Sequence, residues 1–126
     1  MKTSIIVPIY QFTDELFKLS RAMLLSLDET EGDDEIEKIV IDNGSPIGGG
    51  FLQQEADIYI HNTKNLGYCR AVNQGYKLAS GDLVVVGNND IKVSPNWLTI
   101  AKGIFVSDPK VGSVHFKMVG YDEAFN

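Results

Sequence analysis

The feature that most constrains this chain is a repeated unit: a short apolar run that halts at a polar cluster. "TSIIVPI" halts at Tyr10 and Gln11, "EKIVID" at Asp42 to Ser45, "ADIYIHN" at Asn62 to Asn65, and "DLVVVGN" at Asn88 to Asp90. Runs that are apolar at nearly every position suit strands buried on both faces, and such strands belong to parallel sheets flanked by helices. The segments between them fit that arrangement. In "TDELFKLSRAMLLSL", Leu16, Leu19, Met23 and Leu27 share one helical face, and Thr13 or Asp14 can cap it. "GYCRAVNQGYKLA" turns Ala71, Val72, Leu78 and Ala79 inward and ends at Ser80-Gly81. "SPNWLTIAKGIFV" offers Ser94 as an N-cap and Pro95 as the first helical residue. A last strand is expected in "KVGSVHFKMV".

Alternation of this kind predicts an α/β fold: a Rossmann-like, mostly parallel open sheet with helices on both faces. All 126 residues read as a single domain. In such sheets a ligand sits outside the carboxyl ends of the strands. The four polar clusters therefore lie along one edge and face one crevice.

Composition narrows the ligand. Hydrophobic residues make up 44% of the chain, enough for a core, and the net charge is −6 with no basic run. A phosphate-tracking nucleic-acid surface is therefore excluded. A phosphorylated small ligand is compatible, provided that a divalent cation or backbone N–H groups offset the repulsion. Cys69 is the single cysteine, so no disulfide forms within the chain, and a reducing, cytoplasmic setting is expected. No signal pattern is seen, and no run approaches the ~18 apolar residues of a membrane span.

Taken residue by residue, the chemistry stays open. Asp42 can accept a hydrogen bond from a nucleobase or a ribose hydroxyl, or it can simply start an Asx turn before Asn43-Gly44. "NGSPIGGG" matches neither a dinucleotide fingerprint nor a P-loop, so Gly48, Gly49 and Gly50 read as a flexible connection. Gly67, at the start of a helix, would let a ligand approach the backbone. Lys64 or Arg70 can reach a phosphate, or else face solvent. Asn73 sits mid-helix, where it can hold the neighbouring loop. Asp90, flanked by Asn88 and Asn89, is either a polar turn or one carboxylate of a metal site completed by phosphate oxygens. Trp97 reads as core, with a place beside the sugar as the alternative. His61 reads as a supporting hydrogen bond, His115 as a sheet-face residue and Cys69 as a packed small residue. Two separated histidines and one cysteine give zinc no support.

The order of segments adds a further indication. "SIIVPIY", "VIDNGS" and "NLGYCRAVNQGYKLASGDLVVVGNNDIKVSPNWL" together resemble glycosyltransferase family 2, in particular its rhamnosyltransferase-like branch, from Ser4 to about Val119. The resemblance implies a GT-A fold and inverting transfer of sugar from a nucleotide-sugar donor (UDP, dTDP or GDP) to a carbohydrate or other hydroxyl acceptor. It implies that Pro8, Ile9 and Tyr10 line the nucleobase pocket, that Asp42 binds the base or ribose, and that Asn65 and Gly67 lie beside them. "NND" takes the place of the family's DXD motif. Asp90 would then hold a divalent cation, Mn or Mg, on the diphosphate. Asn88 stands where aspartate is frequent and can touch ribose without adding charge. Family members generally run on through an acceptor-binding part that carries the general base. The chain is therefore expected to be the donor-binding half, because Asp122 and Glu123 come too early for that base. The alternative is a nucleotide-binding module without transferase activity. An apolar face left uncovered by a missing half would favour a homodimer.

Overall fold

The computed structural model describes residues 1–32, 35–117 and 119. Four strands form one sheet: β1 (Lys2–Ile9), β2 (Glu35–Asn43), β3 (Ile58–Asn62) and β4 (Leu83–Val86). The order is β3-β2-β1-β4 and every pairing is parallel. Four helices accompany them: α1 (Asp14–Asp28), α2 (Gly49–Glu55), α3 (Tyr68–Leu78) and α4 (Trp97–Ser107). The expected Rossmann-like arrangement is therefore present.

The two faces of the sheet bury different residues of the same strands. Ile5, Val7, Ile9 and Val40 pack with Met23, Leu24 and Leu27 of α1, Leu52 of α2, and Trp97 and Leu98 of α4. Ile6, Ile39 and Ile41 point to the other face, where Ala71 of α3 covers them. This alternation along strands buried on both sides is why β1 reads as a continuous apolar run. The α3 contact is very close: a Cβ placed on Gly75 would lie 2.5 Å from Ile6 Cγ2. Beyond α3 that face is thinly covered, and on β4 Val84 and Val86 are 40% and 45% exposed.

Three local expectations are corrected. Gly49 and Gly50 open a helix rather than a flexible connection, because the chain beyond them buries Leu52 and half-buries Phe51 against the core. Helix α4 starts at Trp97 with Asn96 at its N-cap, not at Ser94-Pro95. The Pro95 carbonyl is taken by the Glu31 N–H at 2.8 Å, and Trp97 N–H turns back onto the Ser94 carbonyl. The expected last strand is not formed by the described residues of 110–119. His115 is accordingly exposed off any sheet, while Phe116 packs edge-on against Trp97. Trp97 itself is core, with its indole N–H on Thr30 Oγ1. On α1, Thr13 is the N-cap and accepts from the Leu16 N–H. On α3, Leu78 is exposed rather than inward. Among the described residues no helix is long and apolar enough to cross a membrane.

Candidate nucleotide site

Because all four strands are parallel, their carboxyl ends share one edge, and the polar clusters do meet there. A crevice of about 190 Å³ opens at that edge, lined by Pro8, Ile9, Tyr10, Asn43, Asn65, Tyr68 and Asn89. It lies where strand order reverses. From β1 the chain passes to β2 on one side, and β4 pairs on the other. That is the topological switch point at which open α/β sheets bind ligands. A larger cleft of about 480 Å³ opens at the opposite edge, among Leu27, Asp28, Ile36, Lys38, Glu55 and Asp57. Its charged groups pair around Lys38. Lys38 Nζ pairs with Asp28 at 2.6 Å and Glu55 at 3.5 Å, and its backbone N–H donates to Asp57. No strand carboxyl ends converge there, so size alone does not select it.

The first wall is the end of β1. Pro8 and Ile9 are buried and offer backbone atoms, whereas Tyr10 emerges, 40% exposed, with its ring 5.2 Å from that of Phe12. Gln11 turns back under the 44–48 turn. Its N–H donates to Ser45 Oγ and its Nε2 to the Ile47 carbonyl.

Asp42 anchors that same turn. Its Oδ1 accepts the Ser45 N–H at 2.9 Å, and its Oδ2 accepts the Tyr59 hydroxyl at 2.7 Å with His61 Nδ1 at 3.3 Å. The side chain is 1% exposed. Burial first, then the hydrogen bond to Asp42 and its charge, push the Tyr59 hydroxyl far up, so it stays a neutral donor. The structure thus gives His61 its expected supporting role. It seats Asp42 behind the wall, not in the lining of the crevice.

The next residue, Asn43, points the opposite way, as strand alternation requires. It holds the loop that enters α3: its Nδ2 donates to Asn65 Oδ1 at 2.9 Å, and its Oδ1 accepts the Leu66 N–H at 2.9 Å. Gly67 sits at the N-cap of α3 with φ +88° and ψ 163°, a backbone state that favours glycine. A Cβ there would meet nothing within 4 Å, so the approach to this helix start is open. Gly44 is the tighter position: at φ +85°, a Cβ would stand 2.7 Å from the Lys64 carbonyl carbon. Lys64, Arg70 and Cys69 are all exposed. For Cys69 this corrects the expectation of a packed residue. Asn73 is also exposed, and its expected task falls to Gln74, which bonds reciprocally with Asn62. Asn43, Asn62, Tyr68 and Gln74 were not singled out from sequence.

The far wall is the turn after β4. Gly87 N–H extends the pairing to the Ile6 carbonyl at 2.9 Å. Within "NND" the three residues diverge. Asn89 turns inward and donates to the buried Ser20 Oγ of α1, while Asn88 and Asp90 are exposed. A second buried α1 hydroxyl, Ser26 Oγ, accepts the Val93 N–H. The turn is thereby tethered to α1 at both ends, and Asp90 is exposed next to Asn89, which lines the crevice. Among the described residues no three His, Cys, Asp or Glu side chains could together hold a metal. A lone carboxylate fits a divalent cation only when phosphate oxygens and water complete its shell.

Sequence comparison decides the family: residues 4–125 match glycosyl transferase family 2. The chain belongs to that family. It is 34% identical over 96 residues to the uncharacterized glycosyltransferase YfnE of Bacillus subtilis, a match covering 72% of this chain and 24% of YfnE. In structure it is similar to TarS 1-349 of S. aureus in complex with UDP (TM-score 0.71, 23% identity, 85% of this chain and 32% of that one). It is also similar to the mannosyltransferase PcManGT of Pyrobaculum calidifontis in complex with GDP-Man and Mn2+ (TM-score 0.70, 25% identity, 88% and 34%). The family 2 chain described here spans about a quarter to a third of the length of these relatives. Its fold is that of the GT-A glycosyltransferases.

Proposed function

We propose that this chain binds a nucleotide-sugar donor at the β1/β4 switch-point crevice, as the donor-binding part of an inverting glycosyltransferase. The observation that carries the reading is the convergence of Tyr10, Asn43, Asn65 and Asn89, from the ends of β1, β2, β3 and β4, on one crevice. In this reading the nucleoside lies against Pro8, Ile9 and Tyr10, with Asn65 and Gly67 beside it and Asn89 opposite. Asn88 meets the ribose, and Arg70 in the first turn of α3 contacts phosphate. Asp42 serves the base by fixing the Ser45 turn and Tyr59. Asp90 would hold a divalent cation, Mn²⁺ or Mg²⁺, shared with the diphosphate; when bound, that cation offsets the charge developing on the leaving group. The support for cation and nucleotide is the pairing of GDP-Man with Mn2+ in PcManGT and the UDP in TarS. The acceptor would be a carbohydrate or other hydroxyl compound.

A second reading has its own observation. Among the described residues, those lining the crevice include no carboxylate or imidazole, the usual bases for an acceptor hydroxyl. A module that binds the nucleotide and takes its acceptor site and base from elsewhere fits that lining. Hydrolysis of donor without acceptor favours the transferase; binding without turnover favours the module.

Calorimetry with UDP, GDP and dTDP, each with and without Mn²⁺, tests the site. We expect metal-dependent binding of one nucleotide, abolished in Asp90→Ala while unfolding is unchanged. Absence of binding by all three to the folded protein refutes the reading. Self-association is part of the same proposal, because Val84, Val86, Ile100 and Val106 are exposed on β4 and α4. Light scattering across a concentration series should show a rising mass; a constant monomer mass contradicts it.

A further inference from the structure

Four side-chain amides form one continuous hydrogen-bonded chain from α3 to the crevice. Gln74 and Asn62 bond reciprocally, Nε2 to Oδ1 at 2.9 Å and Nδ2 to Oε1 at 2.8 Å. Asn62 Nδ2 also donates to Asn43 Oδ1 at 3.2 Å. Asn43 Nδ2 donates to Asn65 Oδ1 at 2.9 Å and to the Gly67 carbonyl at 3.2 Å. Asn43 Oδ1 takes the Leu66 N–H, and Asn65 Oδ1 takes the Gly67 N–H at 2.8 Å.

An amide's oxygen and nitrogen are assigned from their partners, and here backbone groups fix them. The Leu66 N–H requires an oxygen on Asn43, the Gly67 carbonyl requires a nitrogen on Asn43, and the Gly67 N–H requires an oxygen on Asn65. Each following orientation is then forced, out to Gln74. Asn43 spends both N–H groups and both lone pairs. Asn65 spends both lone pairs of Oδ1 on Asn43 and Gly67. Only its NH₂ remains for the crevice that it lines.

We infer that Gln74 is a positioning residue of the nucleotide site. Backbone partners set the amide orientations, and Gln74, through Asn62, braces the Asn43 amide that holds Asn65 with its NH₂ toward the ligand, so the ligand atom met there is a hydrogen-bond acceptor of the nucleoside. This rests on the donor-site reading above. Gln74 does not line the crevice and touches no ligand in it.

Gln74→Glu supplies the test, because it keeps the shape and makes the lock titratable. The introduced carboxyl, when protonated, donates to Asn62 Oδ1 and accepts from Asn62 Nδ2, as the native amide does. Ionised, it has no donor and sets an oxygen against Asn62 Oδ1. Nucleotide Kd relative to native, measured with whichever of UDP, GDP or dTDP the native chain binds, should approach one at pH 4, below the ordinary glutamate value of about 4.3. It should weaken about tenfold at pH 8, the scale of a lost neutral hydrogen bond. Gln74→Leu should be weakened similarly at both pH values. Equal relative Kd at both pH values for Gln74→Glu, or native affinity in Gln74→Leu, overturns the proposal. The ligand-free side-chain NH₂ resonances of Asn65 give a second readout. They should shift between pH 4 and 8 in Gln74→Glu and stay fixed in native protein. If native protein binds no nucleotide, the donor-site reading fails, and these resonances alone decide the lock: no pH-dependent shift in the variant overturns it.

Discussion

The two edges of this sheet are finished in different chemistry. At the amino edge the polar groups are charged. Glu37 accepts from Ser4 Oγ, Ser80 N–H and Ser80 Oγ with Lys2 Nζ at 3.6 Å, and Lys38 pairs with Asp28 and Glu55. At the carboxyl edge the crevice is lined by amides, phenols and backbone, and the one buried carboxylate, Asp42, is enclosed behind it. The difference follows from what each edge must do. Charged clips hold the β1, β2 and α3–β4 segments together, where any sign of charge is tolerable. If the crevice takes the proposed diphosphate, a chain of net charge −6 gains there from neutral donors of fixed direction.

Substitutions that break this contrast should differ in size and kind. Asp42→Ala should have the largest effect, because it leaves the half-buried Tyr59 hydroxyl and Ser45 N–H without an acceptor. About 3 kcal/mol of unfolding free energy should be lost in urea titration, together with nucleotide binding. Glu37→Ala should cost about 1.5 kcal/mol and leave nucleotide affinity unchanged, since its partners lie at the far edge. A loss of affinity there would show that the edges are coupled.

Acid should sharpen the same point. Burial alone would raise the Glu37 carboxyl, but hydrogen bonds from Ser4 and Ser80 and the charge of Lys2 outweigh it and hold it below the usual glutamate range. A carboxyl depressed in the folded state stabilises above its unfolded value, about 4.3, and that stabilisation is lost as pH falls through the folded value. The stability gap between native and Glu37→Gln should therefore close between about pH 5 and pH 3, as circular dichroism during urea titration would record. Lys38→Met should have the smallest effect, within about 0.5 kcal/mol, because Asp28 is 48% exposed and solvent screens the pair.

How much was legible depended on whether the signal was local. The four strands, α1 and α3 carried their own periodicity, and the convergence of strand-end clusters followed from parallel pairing alone. Helix α2 was hidden, since Gly49 and Gly50 disfavour helix and only the burial of Leu52 stabilises it. "KVGSVHFKMV" has strand composition, but a strand exists only with a partner, and Phe116 instead meets Trp97. The choice of Asn73 over Gln74 was an error of helical phase. Ala71 and Gly75 are the buried residues of α3, and Gln74 lies three after Ala71 on their side, whereas Asn73 projects away. That spacing was available in the sequence. The enclosure of Asp42 was not, because Tyr59 and His61 reach it only through the β2–β3 register, in which Asp42 stands beside His61.

The contact of Gly75 with Ile6 bears on how a ligand comes and goes. With no side chain between them, α3 lies directly on β1, so the walls that carry Tyr68 and Tyr10 are expected to resist parting by a helix rocking on its strand. Breathing of the crevice is left to the turn after β4, which is fastened to α1 by the hydroxyls of Ser20 and Ser26. On the proposed reading, residence time in the site should respond to two serine tethers on a neighbouring helix that do not line the crevice.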